Sequence, residues 1–164
     1  MKSFLFSILL TGSALAQGDP WKPFEFLIGT WVGEGGGGPG QGAGEFSLAF
    51  DLNKQVLVRK NFAEYPAQSG RPAFRHDDLV IIYMDETAKR PRAIYFDTEG
   101  HTIRYAIRAQ DGSLIFESEP GEPVPHYRFT YTPDGASRIK GKFEIRAAGE
   151  SQYKTYIDFT ARKK

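Results

Sequence analysis

The segment Gly29–Glu45, GTWVGEGGGGPGQGAGE, decides between two folds. Its residues Gly33–Gly38 satisfy the spacing GxGxxG. A dinucleotide cradle also requires a helix whose first N–H groups face the pyrophosphate, within a βαβ unit. No helical periodicity follows the glycines. The next residues, GEFSLAFDL, alternate instead, with Phe46, Leu48 and Phe50 on one side and Glu45, Ser47 and Asp51 on the other. A phosphate loop is excluded as well, because no GK[ST] triplet is present. The glycines therefore read as a loop that leaves a strand at Trp31 through positive φ angles and lies at the mouth of a β structure.

Outward from this segment the same period of two recurs. QVLVRKNFAEY, DDLVIIYM, RAIYFD, HTIRYAIRA, SLIFESE, HYRFTYT, SRIKGKFEIR and SQYKTYIDFTARK are bounded by turn residues. Asp111-Gly112 is a strong hairpin signal. With the segment at Trp31 this makes about ten strands, and only PWKPFEFLIG suits a short helical turn. Consecutive short strands point to an all-β, up-and-down antiparallel barrel or a sandwich, and closure of the barrel removes exposed edges. A barrel of this strand number has room for a ligand.

Upstream, Lys2, the apolar run FLFSILL and Ala14-Leu15-Ala16 before Gln17 form the pattern of a secretory signal peptide over residues 1–16, too short to span a membrane. Residues 17–164 then form one domain, exported to a periplasmic or extracellular location. Cysteine is absent, which excludes disulfides, thiolate metal sites and a cysteine nucleophile. A net charge of +1 gives no general attraction to nucleic acid or anionic lipid.

FEFLIGTWVGEG resembles the opening of the calycin barrels, the group of lipocalins and fatty-acid-binding-type proteins, whose first strand carries Gly-x-Trp, here Gly29-Thr30-Trp31. The run Leu-x-Gly-Thr-Trp-x-Gly-x-Gly and the basic C-terminal end are similar to the nitrobindin-like proteins. HDDLVIIY and AIYFDTEGHTIRY look like segments of uncharacterised exported relatives of that group. The resemblance implies that Arg162, near the end of the last strand, packs its guanidinium on Trp31. It also implies haem as a cofactor. The haem-ligating histidine expected in the last strand is missing from YKTYIDFTARK, where Tyr156 or Thr155 stands in its place.

Three histidines are present. Hairpin connections would place His76 and His101 near one rim of the barrel, with Asp78 and Glu99 beside them. His76, Asp78, Glu99 and His101 are thus candidate ligands for zinc, iron or manganese. A histidine held by a neighbouring carboxylate as a turn anchor is the alternative, and His126 reads as a strand entrance. In HTIRYAIR, alternation sets His101, Ile103, Tyr105 and Ile107 on one face, and Tyr95 shares a face with Ala93 and Asp97. His76, Tyr95, His101, Ile103 and Tyr105 are therefore the candidate ligand-binding residues. Such a mixture suits a pocket with orienting polar groups or a filled barrel with satisfied hydroxyls.

No GxSxG elbow or HExxH pair occurs, and Asp77-Asp78 face opposite sides of one strand. The expected function is reversible binding of a small, largely apolar ligand inside the barrel, and no motif supports catalysis. The alternatives are a haem- or metal-dependent redox protein and an interaction module of the cell envelope.

Overall fold

A computed structural model describes residues 18–35, 43–67, 70, 72–119 and 125–164. The signal-peptide reading of residues 1–16 and most of the glycine run, residues 36–42, lie outside them. A 3-10 helix, Lys22–Leu27, is followed by strands β1 (Gly29–Gly33), β2 (Ala43–Asp51), β3 (Val56–Tyr65), β4 (Phe74–Asp85), β5 (Arg90–Asp97), β6 (Thr102–Gln110), β7 (Ser113–Ser118), β8 (His126–Pro133), β9 (Arg138–Arg146) and β10 (Lys154–Lys163). Each strand pairs antiparallel with its sequence neighbours and β1 pairs with β10, so the sheet is a closed, up-and-down barrel of ten strands. The fold expected from alternation is the one observed, and it is consistent with a calycin-like architecture.

Turn chemistry fixes the hairpins. Asp111 and Gly112 both take positive φ, 51° and 76°, which gives the tight turn whose twist matches the flanking strands. The turn between β2 and β3 is made by Leu52, Asn53 and Lys54, all three with positive φ.

The two ends of the barrel differ. At the end where β1 begins, the 3-10 helix presses Phe24 and Leu27 into the barrel, and both are fully buried with Trp31. The Trp31 indole donates its Nε1–H to the Leu27 carbonyl at 2.8 Å, which satisfies the one polar atom of the ring and ties helix to strand. Trp21 adds edge contacts to Phe24 and Phe50, each with ring centroids 5.8 Å apart. Above this plug Leu57, Ile82, Ala93, Ile107, Leu114 and Ile139 fill the barrel axis. Burial of aliphatic residues at about 1.5–3 kcal/mol each makes this half the stabilising core.

One expectation about this end is corrected. Register places Trp31 opposite Lys163 and Val32 opposite Arg162, so Arg162 faces outward. The cation over the Trp31 ring is the Lys163 ammonium, 5.5 Å from the centroid. Period two allows only one of two consecutive residues to share the face of Trp31, and the register selects the lysine.

Strand β4 is apolar on both faces because its outward Leu79 and Ile81 join Val58 and Ile94 in a half-buried strip on the outer wall. Among the described residues no helix is long and apolar enough to cross a membrane.

Candidate functional site

The half of the barrel opposite the 3-10 helix is hollow. A cavity of about 660 Å³ opens there. Gly33, Gly35 and Gly44, on either side of the glycine run, are among its lining residues, so the run begins and ends at the mouth.

The cavity has two unlike walls. Strands β8, β9 and β10 contribute Phe129, Phe143, Ile145, Ile157 and Phe159, joined by Phe46 of β2 and Phe116 of β7. Phe129 is the hub, with centroids 4.6 Å from Tyr131, 6.1 Å from Phe143 and 6.2 Å from Phe159. The Phe159 ring lies over Gly141, its cross-strand partner, and a Cβ at Gly141 would stand only 2.2 Å from the ring. Strand β10 carries a register shift between Thr155 and Ile157, so Tyr156 leaves the ladder and is 65% exposed.

The facing wall, β3 to β6, is polar. Alternation along β3 points Arg59 and Asn61 inward, and antiparallel pairing sets Asn61 opposite Asp78. The Asp78 side chain is 6% exposed and is held by an ion pair with Arg59 and by the Asn61 amide, Nδ2 to Oδ2 at 2.7 Å. Burial works against its charge, but Arg59, His76 and Asn61 outweigh that cost and hold the carboxyl below its usual range. The Arg59 guanidinium also lies 4.9 Å from the Phe46 ring centroid, and its Nε is buried without a hydrogen-bond partner.

Toward the mouth the network continues. The His76 Nε2 is 3.4 Å from Asp78 and 3.2 Å from the Tyr95 hydroxyl, and its Nδ1 is 2.8 Å from Glu99. The hydrogen bond to Asp78, reinforced by Glu99, raises the His76 pKa above its ordinary value. Tyr95 donates to Asp97 at 3.0 Å. Asp97 also accepts from the His101 backbone N–H and ring Nδ1, both at 2.8 Å. Burial and the neighbouring Asp78 and Asp97 charges drive the Tyr95 hydroxyl pKa strongly upward, so it remains a neutral donor. Burial likewise pushes the Tyr131 hydroxyl up to about 12, against the pull of Arg59.

All five candidate ligand-binding residues, His76, Tyr95, His101, Ile103 and Tyr105, line this cavity. Of the four candidate metal ligands, His76 and Glu99 meet as expected, and His101 sits at the rim with its ring held by Asp97. The third member of the His76–Glu99 group is Asp97 rather than Asp78, whose oxygens are taken by Arg59 and Asn61. Arg59 and Asn61 were not among the candidates. Charged residues in a half-polar strand read as its solvent side, and only the pairing of Asn61 with Asp78 marks them as internal.

The last strand, where the resemblance places the haem ligand, offers no histidine. Tyr156, where the resemblance places the ligand, stands in the bulge at the edge of the cavity and sets its ring edge on Phe143, centroids 6.2 Å apart. Both mouth histidines direct their Nδ1 atoms at carboxylates of the same polar wall, Glu99 and Asp97. In comparison with known proteins, no family model matches the chain and no curated protein matches it.

Proposed function

We propose that the protein binds a small, largely apolar molecule with one polar end, and releases it unchanged. The observation that carries this reading is the 660 Å³ cavity with an aromatic wall facing a polar one. A side-chain-filled barrel would have served only as a scaffold. The volume lies within the range of small-molecule sites, as does a lining of apolar side chains with a few placed polar groups. Affinity would come from apolar burial at about 25 cal/mol per Å². Orientation would come from Arg59, His76 and Tyr95, whose mutual bonds preorganise them before the ligand arrives. We place the protein outside the cytoplasm, on the leader pattern of residues 1–16, and read it as a divergent relative of the nitrobindin-like barrels that keeps the scaffold without their haem ligation. The Gly-x-Trp start and the ten-strand order support that kinship.

The test is titration with an apolar fluorescent probe, with native mass spectrometry of the protein as purified from its own cells. Ile103 lines the cavity on β6 beside its cross-strand partner Tyr95, and Ile103→Trp narrows it while keeping every hydrogen-bonding side chain of the polar network. Probe binding should weaken at least about tenfold in this variant with far-ultraviolet circular dichroism unchanged. Equal affinity in both proteins would refute an internal site.

A further inference from the structure

Asp78 and Asp97 are directly opposed across β4 and β5, and both point into the barrel. Like charges in that relation destabilise a sheet unless something compensates them. Arg59 compensates Asp78 alone. Glu99, in the turn after β5, adds a third carboxylate at the same mouth, and the ion-pair partners of Asp97 and Glu99 are the two imidazoles, His101 and His76.

The hydrogen bonds fix how the His76 ring presents itself. Because the Tyr95 hydroxyl donates to Asp97, it can only accept from His76, as can the ionised Asp78. Both therefore require the hydrogen on Nε2. The Nδ1 atom then faces a Glu99 oxygen 2.8 Å away, a gap filled by a proton when the ring is an imidazolium and by a metal ion when one displaces that proton. A carboxylate behind the far nitrogen of a histidine is the arrangement that orients and strengthens a metal-binding imidazole. One oxygen of Asp97 and one of Glu99 lie within 4.8 Å of a His76 ring nitrogen and of each other. Ligand bonds of about 2.0–2.2 Å ask each side chain to close in by less than about 1 Å. Asp97 already accepts three hydrogen bonds, and a carboxylate has about four acceptor positions, so one remains.

We infer that His76 Nδ1, Asp97 and Glu99 form a binding site for one divalent first-row metal ion at the cavity mouth. Asp78 orients His76 from behind, and Tyr95 and His101 hold Asp97. One imidazole and two carboxylates suit a borderline cation such as zinc, and three protein ligands leave a coordination position open toward the cavity. The site shares His76 with the apolar-ligand reading but does not rest on it, since the aromatic wall supplies none of its ligands.

The experiment is equilibrium dialysis of the chelator-stripped protein against Zn²⁺, with Co²⁺ absorption spectroscopy as the second readout. One Zn²⁺ per chain should bind, at least about tenfold more weakly in Glu99→Gln and in His76→Gln and unchanged in His126→Ala. Glu99 lies in a turn and its side chain is 40% exposed, so Glu99→Gln leaves the barrel folded. Co²⁺ should give ligand-field bands in the wild type that fade in the same two variants. Absence of a stoichiometric ion, undiminished binding in Glu99→Gln, or loss of binding in His126→Ala would each overturn the assignment. The apolar probe, titrated into the same samples, reports separately on the cavity.

Discussion

Gly141 is the point at which a single methyl group should transmit strain from the sheet to the cavity. Its Cβ would stand 2.2 and 2.3 Å from two carbons of the Phe159 ring. Carbon atoms pack at about 3.5 Å or more, so in Gly141→Ala the ring must retreat by over about 1 Å. It retreats into the cavity, because the strand lies behind it. Overpacking of this kind costs about 1–3 kcal/mol. The backbone at Gly141 does not have positive φ, so alanine is conformationally allowed and gains about 0.4–1 kcal/mol by restricting the unfolded chain. The net loss should be about 0.5–2 kcal/mol. With a urea slope of about 2 kcal/mol/M, the midpoint falls by about 0.3–1 M. Phe159→Ala removes the obstacle, so Gly141→Ala added to it should be neutral or stabilising, with a coupling energy of about 1–3 kcal/mol in the double-mutant cycle. Probe affinity should also drop in Gly141→Ala. A single variant as stable as the wild type, or a coupling energy below about 0.5 kcal/mol, would refute the reasoning.

Two further substitutions probe the charges. Arg59→Met leaves Asp78 buried with only Asn61 and His76 to hold it, and should cost about 3–5 kcal/mol in equilibrium unfolding. Arg59→Met combined with Asp78→Leu should recover much of that loss, and a single-variant cost under about 1 kcal/mol would show that the pair is not desolvated. On the outer wall Glu144 is 5% exposed, bonds Arg128 at 2.7 Å and lies 3.3 Å from the Lys142 ammonium. The Arg128 bond lowers its pKa. A depressed carboxyl stabilises the fold above its unfolded pKa of about 4.3, and that stability is lost as pH falls through the folded value. The stability difference between wild type and Glu144→Gln should therefore be about 1.5–3 kcal/mol at neutral pH and shrink below about pH 4. A difference that is constant to pH 2, followed by urea unfolding, would contradict the assignment.

Alternation carried much of the site as well as the fold. HTIRYAIR delivered His101, Ile103 and Tyr105 to the cavity because each period of two maps directly onto one face of a strand. The same rule could not find Arg59 and Asn61. In VLVRKNFAEY both faces mix apolar and polar residues, and the inward face is settled only by which neighbour each residue meets. It likewise could not separate Asp78 from Asp97, since both are acidic residues on inward faces. What separates them is that Arg59 and Asn61 bind one and Tyr95 and His101 the other. The choice between Arg162 and Lys163 at Trp31 is a matter of one residue of register across the closing pair β1–β10, which spans three residue pairs.

The amino-acid sequence by itself determined the all-β class, the number of strands, the hairpin at Asp111-Gly112 and the faces of the regular strands. Those follow from local sterics and from a periodicity that each strand carries within itself. Tertiary structure alone decided that the barrel closes, that its upper half is hollow, and that His76, Asp97 and Glu99 converge. Those depend on register between strands far apart in the chain and on how much space the inward side chains leave unfilled.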